Sequence, residues 1–259
     1  MWPPPPGGTW VLDLDGVVWL AGRPIPGSDE AVARLRGAGV RVLFATNNSA
    51  PTRAQLQRSL AHCGITAGEA DLLRSSDVAA DMLAPGSSAL VVGEDGIVEA
   101  LAGRGVTVVP EGPADAVVVG IARSFTYDLL DRASAAVRAG ARLDGTNEDA
   151  TFPTPDGLQP GAGSVLAAVA TAGEATPEVA GKPHPPTARA IAARVPDGDL
   201  RAVVGDRPST DGRLASQLGV PFALVLTGVT PPDAIPADAG AAATAKDLRT
   251  LVDEALSGS

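Results

Sequence analysis

Short, wholly apolar runs alternate with amphipathic helical segments along most of the chain. "WVLDLD" and "VRVLFATNN" are two such runs, and helices are predicted after them at residues 28–38, with Ser28 as the cap, and at residues 51–63. The runs lack the apolar–polar alternation of a strand with one wet face. This pattern is typical of a parallel sheet that helices cover on both faces. The sequence therefore predicts an α/β fold with a Rossmann-like parallel sheet.

Composition limits the classes of protein that fit this chain. Its 259 residues are 45% hydrophobic and 19% charged, which suits a packed core in one large or two modest domains. The formal net charge of −10 argues against nonspecific nucleic-acid binding, which needs a basic surface. The single cysteine, Cys63, forms no internal disulfide, and neither a signal peptide nor a bilayer-length apolar run is present. We therefore expect a cytoplasmic protein with no nucleic-acid or membrane partner.

Three predicted strands end in polar loops: "DLDGV", "ATNNS" and "VVGDRPSTD". In an open α/β sheet, ligands bind where the carboxyl ends of the strands meet. Residues 82–180 contribute none of these loops, although they contain strand-like runs of their own. We therefore predict a discontinuous core domain, residues 1–81 and 181–259, with residues 82–180 inserted as a second α/β unit.

Two aspartates, Asp13 and Asp15, follow the first apolar run, and Gly16 suits a turn there. Carboxylates this close repel each other unless a cation lies beside them. Together with Asp206 they form an oxygen-only set that suits Mg²⁺, and these loops contain no His or Cys. One carboxylate can attack phosphorus while the other transfers a proton, but the spacing does not say which does which. The alternative is a surface-facing strand end.

Hydrogen-bond donors and a cation accompany these carboxylates. Phosphoryl transfer needs such groups around the phosphoryl oxygens, and the Thr46 hydroxyl, the Asn47 amide and Lys182 in "GKP" supply them. Asp211 either orients Lys182 or a metal-bound water, or caps the following helix. The alternatives are that residues 46–48 simply cap a helix before residue 51 and that Lys182 is a solvated loop lysine.

The four segments "DLDGV", "ATNN", "GKP" and "GDRPSTD", in this order, resemble the four motifs of haloacid-dehalogenase superfamily phosphatases. The segment "LDGTNEDATFPTPDGLQPGAGSVLAAV" resembles the type IIA cap of the p-nitrophenylphosphatase-like subfamily. That subfamily includes phosphoglycolate, glycerol-3-phosphate, pyridoxal-phosphate and nucleotide phosphatases. The resemblance covers nearly the whole chain. It departs at Pro208 and Gly212, where bulkier residues are expected, which affects the expected shape of that loop.

The resemblance assigns roles to individual residues. It implies that Asp13 is the nucleophile, forming an aspartyl-phosphate, and that Asp15 is the general acid and base. It implies a Mg²⁺ site made by Asp13, the Asp15 main-chain carbonyl and Asp206, with Asp211 behind it. It implies a phosphoryl site made by Thr46, Asn47 and Lys182. The remaining predicted substrate contacts are Gly16, Asn48, Asn147 and Asp149.

The function predicted from the sequence is Mg²⁺-dependent hydrolysis of a small phosphorylated metabolite, with glycerol 3-phosphate or phosphoglycolate favoured. One alternative is a phosphatase for nucleotides, sugar phosphates or pyridoxal phosphate. A second is a phosphometabolite-binding module without turnover. A third, phosphotransfer to an acceptor other than water, shares every motif. A homodimer formed through the cap is a further hypothesis.

Overall fold

The computed structural model describes residues 2–154 and 157–257. In chain order, its strands are β1 (Thr9–Leu12), β2 (Trp19–Leu20), β3 (Arg23–Pro24), β4 (Arg41–Thr46), β5 (Leu72–Arg74), β6 (Ser88–Val92), β7 (Thr107–Val109), β8 (Ala116–Val119), β9 (Arg142–Gly145), β10 (Thr151–Thr154), β11 (Gly157–Pro160), β12 (Glu178–Val179), β13 (Leu200–Gly205), β14 (Phe222–Val225) and β15 (Ala241–Ala245).

The α-helices in the same description are α1 (Ser28–Gly37), α2 (Arg53–His62), α3 (Ser75–Asp81), α4 (Asp95–Arg104), α5 (Tyr127–Arg138), α6 (Ala162–Gly173), α7 (Pro185–Ala192), α8 (Arg213–Leu218) and α9 (Leu248–Ser257). Pro208–Gly212 forms a single π-helical turn. Within the described residues, no helix has both the length and the apolar character that a membrane crossing requires.

The strands form two parallel sheets and two short hairpins. The first sheet has the order β15-β14-β13-β1-β4-β5, and the second has the order β12-β9-β8-β6-β7. The hairpins are β2–β3 and β10–β11. The predicted α/β class with a parallel, Rossmann-like sheet is confirmed. The second sheet takes its strands from residues 88–179 only, and the predicted domain boundaries, which lie on either side of that range, stay a prediction.

Strand β1 lies inside the first sheet and is buried on both faces, as its apolar run predicts. Trp10 and Leu12 belong to the cluster that includes residues of α1, α2 and α9. Val11 points the other way, into the cluster that includes residues of α3, α7 and α8. Neither face of β1 meets water, which explains why the run lacks polar alternation.

Two helix starts differ from the sequence prediction. The N-cap of α1 is Gly27, with φ of 82°, and the Ser28 hydroxyl donates to the Val18 carbonyl oxygen instead. The predicted Ser28 cap is therefore wrong. Helix α2 begins with a capping box between Thr52 and Gln55. Residues 46–48 therefore do not cap α2.

Candidate active site

The first sheet brings the predicted polar loops together at its carboxyl edge. The Asp13 N–H donates to the Val204 carbonyl oxygen at 2.9 Å, so the loop after β1 starts beside the end of β13. Among the described residues, Asp13, Asp206 and Asp211 place carboxylate oxygens within 4.8 Å of one another. Residues that are nearly 200 positions apart in the sequence thus share one site, as strand-end geometry predicts.

Lys182 is the buried cation of this site, with only 3% of its side chain exposed. Its Nζ contacts Asp13 Oδ1 at 2.8 Å, Asp211 Oδ1 at 2.7 Å and the Ala45 carbonyl oxygen at 2.9 Å. Burial opposes its charge, but the attraction of Asp13 and Asp211 outweighs burial and raises the pKa of Lys182 above its usual value. The alternative of a solvated lysine is therefore wrong.

Asp211 supports Lys182 and the loop that carries Asp206. Its Oδ1 accepts from Lys182, and its Oδ2 accepts the Arg207 N–H at 3.3 Å. Helix α8, which follows, has Gly212 as its N-cap and no side-chain cap. Of the two alternatives for Asp211, the geometry favours the one in which it orients Lys182.

Together, the carboxyl groups of Asp13, Asp206 and Asp211 carry more negative charge than Lys182 alone can balance. Burial raises the pKa of Asp13 well above its usual value, and Lys182 only partly offsets this. Burial, and then the charge of Asp211, raise the pKa of Asp206 to about 6. A divalent cation would relieve this repulsion, and oxygen ligands suit Mg²⁺. The donor set therefore fits the predicted metal, with Asp211 rather than the Asp15 side chain as the third clustered carboxyl group.

Among the described residues, the carboxyl cluster of Asp13, Asp206 and Asp211 does not include Asp15. Asp15 Oδ1 accepts from Trp19 Nε1 at 3.0 Å, and burial raises the pKa of Asp15 although this hydrogen bond lowers it. Gly16 makes the turn, with φ of 82°, and a Cβ there would lie 2.6 Å from the Asp206 carboxyl carbon. The Gly16 N–H donates to the Trp19 carbonyl oxygen at 2.6 Å. Gly16 is thus needed for the turn, and this bond leaves its N–H no proton for the predicted substrate contact.

The end of β4 and the loop after it carry two of the predicted phosphoryl donors, the Thr46 hydroxyl and the Asn47 amide. Thr46 Oγ1 accepts the Asn48 N–H at 3.0 Å, which leaves the Thr46 hydroxyl proton for a ligand. Asn47 Oδ1 accepts the Lys182 N–H at 2.8 Å, and Asn47 Nδ2 donates to the Lys182 carbonyl and to Asp149 Oδ2, both at 3.0 Å. A contact between the Asn47 amide and a phosphoryl group would break one of these bonds, so that predicted role stays a prediction.

The two predicted cap residues lie at the site, with their polar atoms engaged. Asn147 donates from Nδ2 to the Asn47 carbonyl oxygen at 2.7 Å and accepts the Asp149 N–H at 3.1 Å. Asp149 Oδ1 pairs with Arg207 Nη1 at 3.0 Å. Sequence reasoning missed Arg207. The available signal was its place beside Asp206 in "GDRPSTD", where a long cationic side chain reaches neighbouring loops.

Two spaces adjoin these residues, and Asp15 lines both of them. A cavity of about 90 Å³ is lined by Asp13, Asp15 and Thr46, among others. A groove of about 730 Å³ also reaches Asp15, but not Asp13, and its walls include Phe152 and Arg58. The small cavity therefore suits a phosphoryl group beside Asp13, and the groove has room for the group attached to it on the Asp15 side.

Comparison with known proteins decides the family. Residues 10–107 match a model described as haloacid dehalogenase-like hydrolase, and residues 179–251 match one described as HAD-hydrolase-like. The 5'-nucleotidase YutF of Bacillus subtilis is 36% identical over 226 residues, which are 85% of this chain and 88% of that protein. The chain belongs to the haloacid dehalogenase-like hydrolase family. The resemblance carried by its four motifs is thereby confirmed.

A mycobacterial relative is also similar in sequence and fold. The D-glycerol 3-phosphate phosphatase of Mycobacterium tuberculosis is 39% identical over 227 residues, which are 85% of this chain but only 63% of that protein. The crystal structure of a glycerol phosphate phosphatase from Mycobacterium tuberculosis in complex with magnesium has a TM-score of 0.85 and 36% identity. That match covers 95% of this chain and 76% of the other.

Proposed function

We propose that this chain is a Mg²⁺-dependent phosphomonoesterase that acts on a small phosphorylated metabolite. The observation that carries the proposal is the carboxyl group of Asp13, which is paired with buried Lys182 at 2.8 Å and clustered with Asp206 and Asp211. This arrangement places a nucleophile in the wall of one small cavity and a buried cation in direct contact with it. The relatives named above as phosphatases support the same chemistry.

Asp13 and Asp15 divide the reaction between them. A carboxylate oxygen of Asp13 attacks phosphorus, and the bond from phosphorus to the ester oxygen breaks as Asp15 gives its proton to that oxygen. Asp15 then takes a proton from water, whose oxygen attacks the phosphorus of the aspartyl-phosphate and frees Asp13 and inorganic phosphate. Of the two, Asp15 also lines the groove proposed for the leaving group and Asp13 does not, which supports Asp15 as the residue that gives its proton to the ester oxygen.

The chain's own donors hold the phosphoryl oxygens during these steps. Lys182 keeps Asp13 in place and adds positive charge, and the free Thr46 hydroxyl proton donates a hydrogen bond. Asp13, Asp206 and the Asp15 main-chain carbonyl would hold Mg²⁺, with Asp211 close by. When bound, the ion offsets the charge of the carboxylates and of the phosphoryl oxygens.

The substrate proposal follows the relatives and the groove. Glycerol 3-phosphate is our first candidate because the 39% identical relative is named for it; phosphoglycolate remains the second prediction of the sequence. Nucleotides are a further candidate, since a groove of about 730 Å³ beside Asp15 accepts a much larger leaving group than glycerol. A cytoplasmic location and a homodimer through the cap stay predictions.

The test is phosphate release from p-nitrophenyl phosphate, with Mg²⁺ and with EDTA. We expect turnover only with Mg²⁺, none in Asp13→Asn, and normal turnover in the control Asp197→Asn, which changes an exposed carboxylate outside the site. Metal-independent turnover, or undiminished turnover in Asp13→Asn, contradicts the proposal. A panel of glycerol 3-phosphate, phosphoglycolate, sugar phosphates, pyridoxal phosphate and 5'-nucleotides then ranks the substrates.

Two further results would select an alternative. Product analysis with added alcohol acceptors separates hydrolysis from phosphotransfer. Thermal stabilisation by members of the panel without any phosphate release would favour the binding module.

A further inference from the structure

We propose that Arg207 is a positioning residue of this site, which acts by holding Asp149 and, through it, residues 147–152 against the phosphoryl cavity. The proposal rests on the phosphatase reaction proposed above, because it concerns the same cavity. It assigns a role to a residue that the four motifs leave without one, and it changes the role of Asp149 from a substrate contact to a bridge.

The main chain of Arg207 is fixed by the turn that carries the carboxyl cluster. Its N–H donates to Asp211 Oδ2 at 3.3 Å, and its carbonyl oxygen accepts the Asp211 N–H at 2.9 Å. Asp206 is the preceding residue. The origin of the guanidinium arm is thus set by the same loop that sets Asp206 and Asp211, and the arm ends 3.0 Å from Asp149 Oδ1.

Asp149 bridges two loops of the first sheet. Its Oδ1 pairs with Arg207 after β13, and its Oδ2 accepts from Asn47 after β4 at 3.0 Å. Its carbonyl oxygen accepts the Gly163 N–H at 3.0 Å, which ties it to the start of α6. One carboxylate from the segment between the motifs therefore fixes that segment to the loops that carry Thr46 and Asp206.

Charge indicates why the pair matters to a phosphoester. Asp149 lines the same cavity of about 90 Å³ as Asp13 and Asp15, where a phosphoryl group carries negative charge. Both oxygens of Asp149 have protein partners, and Arg207 balances its charge. Without Arg207, an unbalanced carboxylate would face the phosphoryl group and repel it. Removal of Asp149 as well would remove that repulsion.

The experiment is a double-mutant cycle on phosphate release, with p-nitrophenyl phosphate and glycerol 3-phosphate as substrates. We expect Arg207→Gln to lower kcat/KM by about 10-fold or more, with a raised KM, since misplaced site groups cost up to about 100-fold. Arg207→Lys should restore most of the loss, because a single N–O contact joins the pair. The double variant with Asp149→Asn should be no worse than Arg207→Gln alone.

The matched control is Arg213→Gln, which changes an exposed arginine just beyond the same loop and should leave kcat/KM unchanged.

A direct substrate contact by Asp149 predicts the opposite pattern: additive losses, and a loss in Asp149→Asn that differs between the two leaving groups. The Mg²⁺ concentration for half-maximal activity should not change in Arg207→Gln. Additive losses, or a large shift in that concentration, overturn the proposal.

Hydrogen exchange tests the bridge without any turnover. Backbone amides of Asp149 and Gly163 should exchange faster in Arg207→Gln than in the wild type or in Arg213→Gln, because their segment loses its anchor. Equal exchange in all three proteins overturns the positioning role. Wild-type protein without turnover would instead contradict the proposed function, and the exchange result would still decide whether Arg207 anchors the segment.

Discussion

The two parallel sheets differ in what their carboxyl ends carry. The first sheet leads into Asp13, Thr46 and Asp206, which line or approach the phosphoryl cavity. After β8, the second sheet leads into Gly120, where a Cβ would lie 2.6 Å from the Ser49 hydroxyl oxygen, which in turn lies 2.9 Å from Thr146 Oγ1. One edge therefore carries the reactive groups, and the other closes tightly over the loop after β4.

A carboxylate at a strand end is thus insufficient to make a site. Strand β9 also carries one, Asp144, which is fully buried. Arg142 pairs with it at 2.8 Å, so charge is balanced there. At the first edge, Asp13 shares Lys182 with Asp211, and Asp206 has no lysine of its own. The difference teaches that unbalanced, buried negative charge, rather than strand-end position, marks the proposed metal and phosphoryl site.

The largest effect is expected when the first edge, the carboxyl edge of the first sheet, loses its buried cation, Lys182. Lys182→Gln leaves the carboxyl groups of Asp13 and Asp211 buried without their partner. Removal of one member of a buried ion pair costs about 3–5 kcal/mol of unfolding free energy. Loss of a cation at the phosphoryl oxygens should lower kcat on the order of 10²–10³-fold. Chemical denaturation and p-nitrophenyl phosphate turnover measure the two effects.

The control for this variant is the chain's other lysine, Lys246, whose side chain is 77% exposed. Lys246→Gln should change stability by less than about 1 kcal/mol and leave turnover unchanged. Similar stability losses in both variants would show that Lys182 is not the buried partner that balances the first edge.

The second prediction concerns pH and metal at the first edge. The pKa of Asp206 is raised from 3.8 to about 6, so the folded state favours its protonated form. Its contribution to stability is full below about pH 4 and is lost as pH rises through about 6. In EDTA, this group should lower the unfolding free energy by roughly 2–3 kcal/mol between those limits. Mg²⁺ should then stabilise the protein more at pH 7.5 than at pH 5.

Asp206→Asn provides the comparison for that pH dependence. In EDTA its stability should fall less between pH 4 and pH 7 than that of the wild type, and Mg²⁺ should stabilise it little at either pH. Identical pH profiles for the two proteins in thermal denaturation would contradict the assigned sign.

Much of this arrangement was predictable from sequence because it follows from local patterns. Unbroken apolar runs indicate strands buried on both faces, and polar residues directly after them, such as Asp13 and Asp206, indicate the reactive edge. The β10–β11 hairpin was not predicted, since its proline- and glycine-rich sequence has no clear period. The partners of Asn47, Asp149 and Arg207 were also missed. Those contacts span 58 and 102 residues and depend on how two sheets meet.

The third prediction tests how closely helix α4 packs against the loop after β4. Helix α4 has two glycines in different surroundings. A Cβ on Gly96 would lie 2.5 Å from the Ser49 carbonyl oxygen, whereas a Cβ on Gly103 would meet nothing within 4 Å. Gly96→Ala should lower the unfolding free energy by about 1–3 kcal/mol through overpacking.

Gly103→Ala is the matched control in the same helix. It should raise the unfolding free energy by roughly 0.5–1 kcal/mol, because alanine loses less backbone entropy in a helix than glycine does. Urea denaturation measures both. A stabilising effect of both substitutions would mean that α4 does not press on the loop after β4.

The smallest effect is expected at the charged pair of the second sheet. Asp144→Asn removes a carboxyl group whose pKa is raised by burial. The Arg142 side chain, which is 44% exposed, can then be hydrated by solvent. Stability should change by less than about 1 kcal/mol and turnover should not change. Arg142→Gln should lower the unfolding free energy by more, about 1–3 kcal/mol, because it leaves the buried Asp144 carboxylate without its charged partner. If Asp144→Asn lost turnover as completely as Asp13→Asn, the proposed difference between the two sheet edges would be contradicted. A balanced buried charge would then matter to the reaction as much as an unbalanced one does.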